Sequence, residues 1–227
     1  MKKATNLTVI ICILFAFTAN AQSMKYGVKG AYTHSSVYVQ DESFSSYRPG
    51  FGIGGFFQYD VLDILGVSIE PMFVKKGGRD SDYTTYYDEK STLFVDQTGK
   101  PFNFESQNLD LSVIEVPILA QYITEVAGFD SRVFAGPSFD FLLKANYLRN
   151  RIFEDEEILT SEDISDRFKS MDVGFMAGVG YNMEISMLIL RVDFTYRYGV
   201  TNFNNVENKP AVYNNNFALT VGIGLGN

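Results

Sequence analysis

From Met24 to Gly226 the chain repeats one pattern eight times: a long run in which apolar residues alternate with small or charged ones. The runs cover approximately 24–36, 48–60, 65–77, 107–123, 129–146, 170–184, 186–199 and 212–226. Successive side chains of a strand point to opposite faces, so this alternation specifies strands with two chemically different faces. In 186–199, Leu188, Leu190, Val192, Phe194, Tyr196 and Tyr198 share one face, and Ile189, Arg191, Asp193, Thr195 and Arg197 share the other. Each run exceeds ten residues. A globular strand is commonly ~5–6 residues long, whereas a tilted membrane-spanning strand needs about 9–11.

The glycines decide which face points inward. Gly50, Gly52, Gly54, Gly174, Gly178, Gly180, Gly222 and Gly224 all fall on the face that carries the charges. A glycine-rich face is a poor solvated exterior. It suits the lumen of a narrow eight-stranded barrel, which barely holds its own side chains. The apolar and aromatic face then points outward, with tyrosines near the strand ends as interfacial girdles. The predicted fold is an all-β, eight-stranded antiparallel up-and-down transmembrane barrel. A mean hydropathy near zero is no objection, because it averages two opposite faces.

The connections alternate in length. Short ones fall near 60–64, 124–128 and 183–186, and long ones at 37–47, 78–106, 147–169 and 200–211. Short turns on one side and long loops on the other are the pattern of bacterial outer-membrane barrels. At the start of the chain, Met1-Lys2-Lys3 precedes an apolar stretch from Leu7 to Phe17 and an Ala19-Asn20-Ala21 site. That is the layout of a cleaved export signal over residues 1–21, leaving 22–227 as the barrel domain. The single Cys12 lies inside the leader.

Parity assigns Lys25, Lys29, Glu70, Glu115, Asp140, Lys144, Asp172, Arg191, Asp193 and Arg197 to the lumen, five of each sign. Buried charges persist when paired, so these are expected to form salt bridges that plug the barrel. Glu70 and Glu115 lack a nucleophile beside them and read as ion-pair partners, not as an acid–base pair. Pro71, Pro117 and Pro137 fall inside strand patterns, where proline removes a ladder hydrogen bond and bulges are expected.

Several segments resemble one family. They are Tyr26-Gly27-Val28-Lys29-Gly30, Gly50-Phe51-Gly52-Ile53-Gly54, Ile69-Glu70-Pro71-Met72-Phe73 with Lys76-Gly77, Ile114-Glu115-Val116-Pro117-Ile118-Leu119, Ala135-Gly136-Pro137, and Asp172-Val173-Gly174 with Gly178-Val179-Gly180-Tyr181. Together they are similar to the PorT-like outer-membrane β-barrel proteins. The resemblance implies an eight-stranded barrel in the outer membrane of a Gram-negative cell. The family's namesake is implicated in a type IX secretion apparatus.

With the barrel as scaffold, function is expected in the long loops. Tyr83, Tyr86 and Tyr87 form a candidate interaction surface, since tyrosine combines contact area with a polar tip. Loop 147–169 reads as solvated acidic surface, with Ser161 as the start of a short helix, and 202–216 reads as asparagine turns. No catalytic, cofactor or metal site is expected. A net charge of −8 excludes nucleic acid as a partner. The expected partners are outer-membrane lipid and other envelope or secretion proteins. The role is that of a non-catalytic structural or interaction protein, either an adhesin or a secretion component. Two alternatives compete: a lipid-modifying enzyme using His34 with Ser35 or Ser36 at the outer rim, and a soluble lipocalin-like binding barrel.

Overall fold

The computed structural model describes residues 24–40, 46–80, 94–95, 101–102, 104–126, 129–153, 156–207 and 210–226. The expected export signal, with Cys12, and the loop tyrosines Tyr83, Tyr86 and Tyr87 lie outside them. The strands are β1 (Met24–Val39), β2 (Ser46–Leu62), β3 (Leu65–Ile69), β4 (Met72–Asp80), β5 (Phe94–Val95), β6 (Pro101–Phe102), β7 (Phe104–Val126), β8 (Phe129–Phe153), β9 (Glu156–Asp163), β10 (Met171–Ile185), β11 (Leu188–Gly199) and β12 (Val212–Gly226). Among the described residues one 3-10 turn, Ser165–Arg167, interrupts the strands.

Each main strand pairs antiparallel with the next, and β1 pairs with β12 from Lys25↔Gly226 to Val39↔Val212, closing a ring. β3 and β4 act as one ring strand, because both hold one register against β7, from Leu65↔Tyr122 through Met72↔Glu115. The ring therefore has eight strands. The turns after β2, β7 and β10 are short. The connections after β1, β4, β8 and β11 gather at the opposite end.

Burial is inside-out. Val28, Ile53 and Val221 are 63%, 65% and 61% exposed, while Asp140 and Arg197 are 0% exposed. Along β11 the exposed residues Val192, Phe194 and Tyr198 alternate with the buried Arg191, Asp193 and Arg197. Glycine makes the interior fit. A Cβ on Gly224 would stand 2.6 Å from the Phe56 ring, and one on Gly178 would stand 2.6 Å from the Phe134 ring. Bare backbone opposite these two rings is what admits them to so narrow a lumen.

Pro71, Pro117 and Pro137 do not shift the register. Between β7 and β8 it is the same at Pro117↔Ser138 and at Ala120↔Ala135, although pairing lapses between them. At Pro71 the strand breaks without slipping. Proline deletes a donor but inserts no residue, so the ladder loses a rung and keeps its alignment. The β7–β8 bulge lies elsewhere: Ser112 pairs with Lys144 and Val113 with Leu142, leaving Leu143 as the extra residue. Beyond it the faces of β8 exchange.

The loops also depart from expectation. Residues 156–163 form β9, paired with β8, and no helix starts at Ser161. The asparagine segment splits in two. Asn202 and Asn204 make turns by accepting the N–H groups of Asn204 and Val206, both at 2.9 Å, whereas Asn214, Asn215 and Asn216 are buried in β12.

Candidate functional site: a filled and covered lumen

The lumen holds ion pairs in tiers. At the short-turn end, Lys25 lies 2.7 Å from Glu184 and 3.4 Å from Asp60. Deeper in, Lys29 donates to Glu70, and Arg191 approaches the same carboxylate at 3.4 Å and donates to Gln58. Arg132 donates to Asp193 and, at 2.8 Å, to Gln121. Two aromatic rings accompany this tier: the Arg191 guanidinium sits 4.4 Å from the Phe56 centroid, and Arg132 sits 5.3 Å from Phe134. Cations stacked on ring faces gain attraction without needing another anion.

The next charged tier lies toward the long-loop end. Lys76 bridges Glu115 at 2.7 Å and Asp140 at 2.5 Å. Arg197 reaches Asp140 at 3.1 Å, Asp172 at 3.0 Å and Glu115 at 3.8 Å. Asp172 also accepts a hydrogen bond from the Thr201 hydroxyl at 2.8 Å, which ties the β11–β12 connection to the network. An apolar cluster of Leu119, Phe134 and Met176 adds to the filling. A cavity of about 10 Å³, lined by residues that include Lys29, Glu115, Thr195 and Asn216, has room for about one water molecule.

The structure thus gathers Lys29, Glu70, Glu115, Asp140, Arg191, Asp193 and Arg197 inside the ring, with Lys25 and Asp172. Lys144 is the correction. Its side chain is 54% exposed and faces Asp163 at 4.0 Å. The Leu143 bulge turns it outward and sends Ala145 inward, where Ala145 is fully buried. Two further cations, Lys76 and Arg132, complete the network beyond the charges expected from sequence. Parity was the available signal: Lys76 is an even number of residues from Glu70, and Arg132 from Asp140.

Above the upper tier the mouth is covered. Ile164 and Phe203, from the two connections that flank β10 and β11, are buried against Met72, Val74, Leu111, Val113 and Ala145. The two connections grip each other. The Lys169 N–H donates to the Phe203 carbonyl and the Asn205 N–H to the Arg167 carbonyl, both at 2.9 Å, and Phe168 stacks on Phe203 at 5.0 Å.

At the rim, His34 is exposed and stacks on Tyr47 at 5.3 Å, while Tyr196 meets Phe217 at 4.6 Å. Ser35 points the other way. It is fully buried, and its hydroxyl accepts the Gly77 N–H at 2.8 Å. Among the described residues no cluster of three His, Cys, Asp or Glu side chains suits a metal ion.

An outward apolar belt around a closed antiparallel ring is the architecture of a membrane barrel, and the sequence agrees: the family profile of the outer membrane protein β-barrel domain matches residues 20–205. The chain belongs to this family. As an outer-membrane β-barrel it is similar to solved structures of the same class. Ail, the attachment invasion locus protein of Yersinia pestis, shares 12% identity with a TM-score of 0.41, over 89% of this chain and 98% of that one. OprG of Pseudomonas aeruginosa shares 11% at 0.44, over 91% and 95%. Neisserial surface protein A shares 12% at 0.40, over 88% and 96%. No curated protein matches the chain in sequence.

Proposed function

We propose that this outer-membrane barrel is non-catalytic and carries no solute, and that it serves as a structural or interaction protein whose working surface is the long-loop end. On this reading residues 1–21 are a cleaved export signal, the short turns face the periplasm and the long loops face outward. One observation carries it: the lumen is filled by paired charges and covered by Ile164 and Phe203. A pore would need a continuous polar path, and an eight-stranded lumen has little room to spare.

Catalysis at the rim is disfavoured by strand geometry. His34 is exposed, whereas Ser35, its neighbour in an extended strand, lies on the other side of the barrel wall and Ser36 is 2% exposed. A nucleophile and its base must share a hydrogen bond. The resemblance to PorT-like proteins supports a place in an envelope assembly, as a secretion component or as an adhesin, with lipid as the surrounding partner.

Purified protein in planar bilayers is expected to show no discrete conductance steps, and cells with His34→Ala are expected to keep their lipid profile. Stable channels, or a changed lipid profile, would overturn the proposal.

A further inference from the structure

β9 ends the sheet. It pairs with β8 from Asn146↔Asp163 to Phe153↔Glu156, and among the described residues no strand pairs with its other side. β8 carries it away from the ring, continuing from Phe141, its last partner on β10, to Phe153. At ~3.3 Å per residue that is about 40 Å of strand contour. The apolar band of such a barrel is only ~25 Å tall, so β9 stands on the long-loop side of the membrane.

The free side of β9 can be named residue by residue. The Ile164 N–H donates to the Ala145 carbonyl at 2.9 Å, continuing the β8–β9 register. Antiparallel main-chain groups alternate, so Glu156, Ile158, Thr160 and Glu162 address β8. Glu157, Leu159, Ser161 and Asp163 turn their N–H and C=O groups to the open edge. Leu159 is 67% exposed. An edge of this kind is a template for another strand.

Charge selects the occupant. From Glu154 to Asp163 the sequence holds six acids and no base, and counting Lys144, Arg149, Arg151, Asp166 and Arg167 still leaves an acidic excess of three over 144–167. Glu162 and Arg167 neutralise each other at 2.8 Å. A second copy of the chain is a poor occupant. Symmetric antiparallel pairing of two β9 strands through this edge would set Glu157 against Asp163, or Glu156 against Glu162, and like charges opposite one another destabilise a sheet.

We propose that the outer edge of β9 docks an extended, lysine- or arginine-rich segment of another protein, which adds to the sheet as one more strand. The main-chain groups of Glu157, Leu159 and Ser161 supply the ladder, and the acids select a basic sequence. This deepens the interaction role proposed above and rests on it.

The test uses the full-length protein in nanodiscs and a labelled, acetylated seven-residue peptide alternating lysine with valine and threonine. A twin with glutamate in place of lysine is the control. Fluorescence anisotropy is expected to show saturable binding of the lysine peptide and none of the twin. Ser161→Pro removes an N–H that faces the open edge and spares the β8 ladder, as proline does on edge strands. It is expected to weaken binding at least tenfold, with Ser161→Ala within twofold of wild type. Glu157→Lys should weaken the lysine peptide and admit the glutamate twin, a result that stands even if Ser161→Pro misfolds.

The proposal is overturned by a lysine peptide that does not bind, or by a twin that binds equally. Self-association of the wild type that Ser161→Pro abolishes would instead assign the edge to a second copy and also overturn it. Binding untouched by both Ser161→Pro and Glu157→Lys removes β9 and leaves the interaction role standing. That role fails separately, through the conductance and lipid measurements.

Discussion

Lys76 shows what one buried charge does here. It is 2% exposed and holds both Glu115 and Asp140. Lys76→Met keeps the volume of the chain and removes the cation, leaving the Arg197 guanidinium beside Glu115, Asp140 and Asp172. Breaking a buried pair by removing one partner costs about 3–5 kcal/mol, since the survivor stays desolvated without compensation. Urea unfolding in lipid vesicles is expected to show that loss for Lys76→Met, and far less for the exposed Lys144→Met. Equal midpoints for the two variants would refute the network's role in stability. At this scale the sequence was largely legible. Strand parity alone separates Arg191, Asp193 and Arg197 from Leu190, Val192 and Phe194. What parity cannot supply is partnership: Glu70 and Lys29 are far apart in the chain and meet only across the lumen.

At the scale of the element, the Leu143 bulge decides more than any proline. Deleting Leu143 would remove the extra residue and leave Ser112 against Lys144 and Leu111 against Ala145, so Lys144 stays outward and Ala145 inward. Ala145→Lys would instead set an ammonium in the apolar space lined by Leu111, Val113 and Ile164. The Ala145→Lys variant is expected to lose the gel shift between folded and heated forms, whereas Leu143→Ala and the Leu143 deletion should keep it. Farther along the same hairpin, the Asp163 carboxylate is held below the ordinary aspartate range by the hydroxyl and the N–H of Ser165. A depressed pKa contributes stability above the unfolded value and loses it as pH falls through the folded one. The protection of the Ser165 amide, its exchange rate taken relative to that of a free amide at the same pH, should therefore fall as the pH drops through and below the usual aspartate range, and Asp163→Asn should flatten that dependence. The bulge was not visible in the sequence because Leu142, Leu143, Lys144 and Ala145 fit either alternation; packing of Ala145 beneath Ile164 chooses between them.

At the scale of the whole molecule, the ends of the barrel differ. Three turns are short, while β7, β8 and β9 extend well beyond the ring on the other side. With that side outward, protease added to intact cells is expected to cleave within 147–163 and spare the turn near Asp63. Digestion of the short turns in intact cells would reverse the orientation. Carbonate washing should leave the protein with the membranes, as an apolar belt that includes Val28, Ile53 and Val221 requires.

The division between sequence and fold follows from range. Alternation is local, since each residue's face depends only on its neighbours. The strands, the outward belt, the glycine-bearing lumen and the sign of its charges were therefore present in the sequence. Tertiary structure alone decided which cation meets which anion, because Arg197 finds Asp140 and Asp172 on different strands. It decided that Lys144 turns out and that Ile164 and Phe203 cover the mouth. It also made residues 156–163 a strand: their acids and hydroxyls suit a loop, but β8 rises far enough past β10 to offer them a ladder, and paired main-chain groups outweigh weak local preference.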